Sequence, residues 1–170
     1  MNDDERLSFA LAQLDRTQSL HGRIETRAAG LLTLNLAMAG VVALNLSAEI
    51  LKTHWICVAG IALLLIAGAL GCLIAVSFSH LANKVHPSLL YFADISRQGA
   101  DEYIGKVKAA ATADLLDDAL CQIWRNSEIL SLKFTRLQRA YVLTCIAIVP
   151  WMSFLIGDAV QTGAFPLFSK

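Results

Sequence analysis

The sequence predicts an all-α membrane protein with three transmembrane helices and helical cytoplasmic extensions that form a cap or stalk. The chain has 170 residues, of which 56% are hydrophobic and 16% are charged, whereas soluble domains average about 45–50% and about 25%. Three stretches of at least 18 residues carry no Asp, Glu, Lys or Arg. Because roughly 20 apolar residues cross a bilayer core of about 30 Å, we predict transmembrane segments at 28–48, 53–79 and 140–157.

The distribution of basic residues predicts the side of the membrane on which each remaining segment lies. Twelve of the 14 Lys and Arg residues lie within 1–27 or 80–139, and only Lys52 and Lys170 lie elsewhere. By the positive-inside rule, residues 1–27 form a cytoplasmic amphipathic helix and 80–139 a cytoplasmic helical segment, whereas 158–170 form an extracytoplasmic tail. The first apolar stretch begins too late and is too long for a cleaved signal peptide.

The N-terminal segment has apolar residues at helical spacing, from Leu7 and Leu14 to Ile24. Acidic residues at positions 3–5 favour the positive end of a helix dipole. No proline separates this segment from the first span, which predicts one long helix or two helices with a slight bend.

The first two spans contain residues that favour close helix packing. Asn35 and Asn45 require hydrogen-bond partners in hydrocarbon, and a neighbouring helix supplies them. The second span contains the small-residue pairs Ala67/Gly71 and Gly68/Cys72, each four residues apart. These pairs predict tight packing either within one chain or between chains, and the sequence leaves both alternatives open.

The third element is predicted as a helix from about 114 to 149 that projects into the cytoplasm, with a kink at Pro150. It follows a connector, "SLLYFADISRQGADEY" (88–103). Pro87, just before the connector, ends one helix, and Gly99 within it precedes the next. Mostly apolar residues recur at three- and four-residue spacing along this helix, which predicts one apolar face. The residues of this face are Leu116, Ala119, Leu120, Ile123, Ser127, Leu130, Phe134 and Leu137.

The residue types exclude several classes of function. There is no nucleophile elbow or phosphate-binding glycine loop, and we expect no enzymatic activity and no cofactor. The cysteines form no pairs typical of disulfides or zinc sites, and His80 and His86 are interpreted as interfacial polar residues rather than metal ligands. The formal net charge of zero argues against a nucleic-acid partner.

The cytoplasmic segment does contain the side chains of a small anionic-ligand site. Basic residues suit a phosphate, aromatic residues can stack on a base, and amides can read its edge. An alternative interpretation is that the basic residues satisfy the topology and contact anionic lipid. The residues are Arg97, Lys106, Lys108, Arg125 and Lys133; Tyr91, Phe92, Tyr103 and Trp124; and Gln122, Asn126 and Ser127.

Three stretches resemble the Pycsar effector transmembrane family. They are "IETRAAGLLTLNLAMAG" (24–40), "YFADI" (91–95) with "EY" (102–103), and "LLDDALCQIWRNSEILSLKF" (115–134), and the similarity extends over about 20–155 as a single domain. The chain departs from the family pattern at Ala93, where glycine is common, and at Glu25 and Arg27, where aspartate and lysine are common. The motif residues carried over are Asp94, Tyr103, Asp118, Gln122, Asn126, Ser127 and Lys133.

The resemblance implies a bacterial antiphage membrane effector. A partner cyclase would make a cyclic pyrimidine mononucleotide, cCMP or cUMP. The effector would then assemble as a homo-oligomer in the inner membrane, impair the bilayer and cause abortive infection. We hypothesise that the motif residues bind the nucleotide and that Arg97 contacts its phosphate. Alternatively, the motif residues hold the cytoplasmic helices together. The alternative function is an inner-membrane scaffold or pore-gating subunit that responds to a protein partner without a nucleotide.

Overall fold

A computed structural model describes residues 2–46, 54–78 and 88–162, and these residues form five helices and no strand. They are α1 (Asp3–Asn45), α2 (Trp55–Ser77), α3 (Phe92–Ile95), α4 (Ala100–Ala109) and α5 (Thr112–Gln161). Within these ranges, α1, α2 and α5 are long and apolar enough to cross a membrane, which confirms the predicted fold class. The exact limits of the three spans stay predictions. Residues 47–53, 79–87 and 163–170, which include His80, His86 and Pro87, lie outside the described residues.

The two longest helices each run without interruption. The N-terminal segment and the first span form one helix, α1, rather than two. At its start, the backbone N–H of Asn2 donates to the Glu5 carboxylate (3.0 Å), as expected for an acidic first turn. The predicted third helix is longer at both ends than expected. It contains Pro150 in its interior and continues to Gln161.

The chain divides into two compact units, and α1 and α5 contribute to both. The first unit comprises 1–23 and 79–132, and the second comprises 24–78 and 133–170. The second unit contains α2 and most of the residues that we predict to lie in the bilayer. Its core has two small clusters among the described residues, one around Val42, Ala59 and Phe154 and the other around Met38, Ile66 and Ala147.

A buried polar pair joins α1 to α5 inside the second unit. The Asn35 side chain is fully buried (0% exposed) and donates to the Thr144 hydroxyl oxygen (2.9 Å) and to the Leu31 carbonyl (2.8 Å). Thr144 in turn donates to the Ala140 carbonyl. Asn35 therefore finds the interhelical partner that an amide in hydrocarbon requires. Its Oδ1 atom is buried and accepts no hydrogen bond from the described residues.

The two small-residue pairs of α2 face different surroundings. A Cβ atom added at Gly68 would lie 3.4 Å from the Leu143 side chain of α5, so this position packs within the chain. A Cβ atom added at Gly71 would meet nothing within 4 Å, and Ala67 is exposed. Gly68 is exposed but borders α5 of the same chain, whereas Ala67 and Gly71 are exposed on a side of α2 where a Cβ at Gly71 meets nothing.

The predicted apolar face of α5 is only partly the face that packs. Ala119 and Leu137 are buried, but Leu120, Ser127 and Phe134 are exposed. The packed face is rotated towards the polar motif residues: Lys133 is buried, and Asp118, Gln122 and Asn126 are half-buried. These polar motif residues therefore lie within the packed face of α5.

The contact between Gly157 and Trp55 predicts a strong size limit at one position. A Cβ atom at Gly157 would lie 2.5 Å from the indole ring of Trp55. The indole is a rigid ring, so the clash cannot be relieved by rotating a flexible side-chain end. We expect Gly157→Ala to destabilise the protein by about 1–3 kcal/mol through overpacking, despite the higher helix propensity of alanine. Thermal unfolding in detergent measures the effect.

Gly71→Ala is the matched control, because it adds the same methyl group in open space on the surface of α2. It should leave the melting temperature unchanged or slightly raised. Equal melting temperatures for the two variants would contradict the packing of Trp55 against Gly157.

Candidate functional site

The connector that follows α2 is held in the first unit by Asp118 of α5. The Asp118 carboxylate accepts from the backbone N–H of Leu89 (2.8 Å) and from the Ser88 hydroxyl (3.0 Å). The Ser88 hydroxyl oxygen accepts from the backbone N–H groups of Leu90 and Tyr91, both at 3.0 Å. A serine hydroxyl that closes a local turn in this way is a common alternative to helical bonding. Asp118 is therefore a half-buried carboxylate that holds the connector.

Asp94 and Tyr103 hold the same two residues from other elements. The buried Asp94 carboxylate, on α3, accepts from the backbone N–H of Ser88 (3.2 Å), and the Tyr103 hydroxyl, on α4, donates to the Leu89 carbonyl (3.3 Å). We call Ser88, Leu89, Asp94, Tyr103 and Asp118 the connector anchor. Three of the predicted site residues thus meet at one point, where their hydrogen bonds to Ser88 and Leu89 hold the connector.

Arg97 adds a weak ion pair to the connector anchor. Its guanidinium lies 3.9 Å from the Asp94 carboxylate, and its side chain is 69% exposed. A pair at this distance with one partner mostly in water contributes little stability. Arg97 therefore remains accessible to an anion that approaches α3.

Glu102 and Lys106 form an exposed pair along α4. Their side-chain atoms are 2.7 Å apart, and Lys106 also donates to Gln98 (3.1 Å). The hydrogen bond from Lys106 and its positive charge lower the pKa of Glu102 below its usual range. Any stability from this pair is present at neutral pH and is lost as the pH falls through that lowered pKa. Because both groups are exposed, the contribution is small.

Gln122 and Asn126 differ from the connector anchor, because their side chains make no hydrogen bond to any of the described residues. Both are half-buried, on the packed face of α5 that also carries Asp118. The backbone carbonyl of Asn126 contacts Nε2 of His21 on α1 (3.2 Å). This side of α5 therefore offers two amides with unused donors and acceptors beside an imidazole, a combination that suits a polar heterocycle.

Trp124 does not share this side of the helix. At about 100° per residue, its position on α5 is about 160–200° from Gln122 and Asn126, and the residue is 65% exposed. A base read by the two amides cannot also stack on Trp124. Ser127 is exposed as well, and its hydroxyl donates to the Ile123 carbonyl of its own helix (2.7 Å).

Lys133 belongs to the second unit, apart from the other predicted site residues. Its ammonium lies 2.7 Å from the Glu25 carboxylate of α1, and its side chain is only 10% exposed. Both residues belong to stretches that the sequence resemblance singled out. Sequence reasoning did not identify Ser88 or His21, although a serine directly after Pro87 is typical of a turn that a hydroxyl closes.

Comparison with known proteins gives one result. The family model described as Pycsar effector protein domain matches residues 9–157. No curated protein and no solved structure matches the chain. Within the described residues, no group of three or more His, Cys, Asp or Glu side chains is placed to hold a metal ion.

The contrast between Asp118 and Gln122 predicts different effects on stability. Asp118→Ala leaves the half-buried N–H of Leu89 and the Ser88 hydroxyl without their acceptor, which costs about 1–3 kcal/mol. Gln122→Ala, one turn along the same helix, removes no hydrogen bond to the described residues and should be close to neutral. Thermal unfolding of both purified variants measures the difference.

Alanine is a good helix former at either position. If only Asp118→Ala unfolds at a lower temperature, helix propensity therefore does not explain the difference between the two variants. If both variants unfold at the wild-type temperature, Asp118 does not anchor the connector.

Proposed function

The chain belongs to the Pycsar effector protein family, and on that premise we propose that it is a membrane effector activated by cCMP or cUMP from a partner cyclase. In this proposal it resides in the bacterial inner membrane with its N-terminus in the cytoplasm. It assembles as a homo-oligomer, acts without catalysis and impairs the membrane, so that the infected cell stops growing before phage are released.

The observation that carries this proposal is the extent of the family match. Residues 9–157 include most of the described residues of both units and parts of all five helices. The match therefore covers the extramembrane segments together with three helices that are long and apolar enough to span a bilayer. A sensor and a membrane element in one chain are what a ligand-gated membrane effector requires.

For the nucleotide we propose a site on the packed face of α5, at Gln122 and Asn126. Their amides have unused hydrogen-bonding groups and match the donor and acceptor pattern of a pyrimidine edge. The exposed guanidinium of Arg97 suits the cyclic phosphate. In this assignment Asp94, Tyr103 and Asp118 position the connector beside the ligand rather than touching it.

Activation requires that the nucleotide bind one assembly state more tightly than another. To shift a population from 1% to 99% active, the ratio of affinities must be about 10⁴, or about 5.5 kcal/mol. The site lies on α5, and the same uninterrupted helix contains the third predicted span. We propose that a change in how 112–132 pack is transmitted by this helix, with the Lys133–Glu25 pair as part of the transmitting contact.

Nucleotide binding is tested by titration of the purified full-length protein. We expect cCMP or cUMP to raise the melting temperature, because a ligand that binds only the folded state stabilises it, and we expect cAMP and cGMP not to do so. Gln122→Ala should weaken the response at least tenfold while keeping the stability of the free protein. Cys121→Ala, an exposed neighbour on α5, is the control. If none of the four nucleotides shifts the melting temperature or the assembly state, the ligand-gated proposal is wrong.

Membrane impairment is tested with the protein reconstituted in dye-filled liposomes. Addition of the activating nucleotide should release dye, whereas the purine nucleotides and protein-free liposomes should show only the background rate. Binding without release would overturn the proposal that the chain itself impairs the bilayer. Rapid release without any nucleotide would instead favour a constitutive pore or one gated by a protein partner.

A further inference from the structure

A groove between α2 and α5 opens on the surface of the second unit. Its volume is about 730 Å³, within the range of about 300–1,000 Å³ that is typical of small-molecule sites. The Ser153 hydroxyl in its lining already donates to the Val149 carbonyl (2.9 Å). The groove therefore suits an apolar occupant that makes no hydrogen bonds. Its lining includes Val58, Ile61 and Leu65 of α2 and Ile146, Val149 and Ser153 of α5.

Two contacts show how α2 and α5 continue from the groove towards the predicted cytoplasmic side. The Arg136 guanidinium donates to the Ala75 carbonyl (2.6 Å), near the C-terminal end of α2. A Cβ atom added at Gly68 would lie 3.4 Å from the Leu143 side chain. The two contacts are seven residues apart on each helix, so the helices run antiparallel and keep one register. Arg136 is held at the cytoplasmic end of the line along which they meet, which we call the α2–α5 seam.

Arg139 lies at the same end of the α2–α5 seam. It precedes Ile146 of the groove by seven residues, which places the two side chains within about 20° of each other around α5. Arg139 is exposed and forms no ion pair with the described residues, whereas Lys133 is paired with Glu25. Together with Arg136, one turn before it, Arg139 gives this end of the seam two guanidinium groups.

On α2, small residues lie between the groove and the level of these guanidinium groups. Gly68 and Cys72 lie within about 20° of Ile61 around the helix, so they continue the face that lines the groove. Because both side chains are small, this stretch of α2 presents no large side chain between the groove and Arg139. An extended apolar chain can therefore follow the seam from one to the other.

The length of the seam matches the acyl chains of one bilayer leaflet. Arg139 directly precedes Ala140, where we predict the third span to begin, and the centre of the groove on α5 is about ten residues, or about 15 Å, further along. Half of a bilayer core of about 30 Å is also about 15 Å. A soluble anion would leave the groove empty, and an uncharged lipid would leave Arg139 without a counter-charge. A phospholipid with an anionic headgroup satisfies both ends.

We propose that the α2–α5 seam binds one anionic phospholipid of the cytoplasmic leaflet. Its phosphate lies at Arg139 and Arg136, and one acyl chain occupies the groove. Guanidinium groups form charge-assisted hydrogen bonds to phosphate, and the anionic lipids of the cytoplasmic leaflet attract basic residues at its surface. This inference rests on the proposed orientation in the membrane, but it does not depend on a nucleotide.

The headgroup contact is tested by native mass spectrometry of the delipidated full-length protein in detergent. Phosphatidylglycerol should bind at least fivefold more tightly than phosphatidylcholine with the same acyl chains. Arg139→Gln should remove this preference. Arg27→Gln is the matched control, because Arg27 is an exposed cation beside the predicted start of the first span on α1, and it should keep the preference. Equal losses in the two variants, or no preference in the wild type, would overturn the proposal.

The acyl-chain contact is tested by filling the groove. Ile61→Phe should weaken the binding of both phospholipids severalfold, whereas Leu36→Phe, at a 55% exposed position on α1, should not. Unchanged binding in Ile61→Phe would show that no acyl chain occupies the groove.

Competition separates a phospholipid site from a site for free phosphate. Glycerol 3-phosphate carries the charge without acyl chains, so an equal concentration of it should not displace phosphatidylglycerol. Displacement would mean that the site takes a soluble phosphate and that the proposal is wrong. Selective binding of phosphatidylglycerol by a protein that does not respond to cCMP or cUMP would support this inference and count against the proposed function, so the two proposals fail separately.

Discussion

The pairing of α1 with α5 is the interaction on which the rest of the structure depends. In the second unit it includes the Asn35–Thr144 hydrogen bond and the Glu25–Lys133 ion pair, and the first unit has its own contact between the two helices. Polar groups packed among apolar ones are costly unless they meet a partner. A slip of one residue would rotate a helix by about 100° and separate these pairs. The polar contacts therefore specify the register, while apolar packing in the second unit supplies most of the burial.

This pairing determines which side of α5 remains available. Since the face with Lys133 and Thr144 is used against α1, the opposite side, with Leu120 and Trp124, is left exposed. A helix that is polar on its packed side and partly apolar on its exposed side departs from the usual pattern. The polar contacts to α1 explain the packed side, because Lys133 and Thr144 of α5 pair there with Glu25 and Asn35 of α1.

The sequence was sufficient to predict the three apolar helices and the uninterrupted course of α5 from 114 towards the bilayer, because these features depend on local composition and length. It did not predict which face of α5 packs. Spacing alone favoured the stripe with Leu120 and Phe134, but a partner helix with its own polar residues selected the neighbouring side. The connector anchor was also beyond reach, because Asp118 and Ser88 are 30 residues apart and no local pattern links them. The family resemblance identified Asp94 and Asp118 as important without distinguishing a ligand contact from a structural one.

The unsatisfied Oδ1 atom of Asn35 bears on how such a structure can switch. A buried acceptor without a partner costs about 1–3 kcal/mol, and this one lies at the α1–α5 contact that sets the register. The observed pairing of α1 and α5 therefore leaves one buried acceptor without a donor among the described residues. Under the proposed function, an activated arrangement that gave Oδ1 a donor would recover part of this energy, and the free-energy difference between the resting and activated arrangements would be smaller. The proposed nucleotide would then need a smaller ratio of affinities for the two arrangements to change their populations.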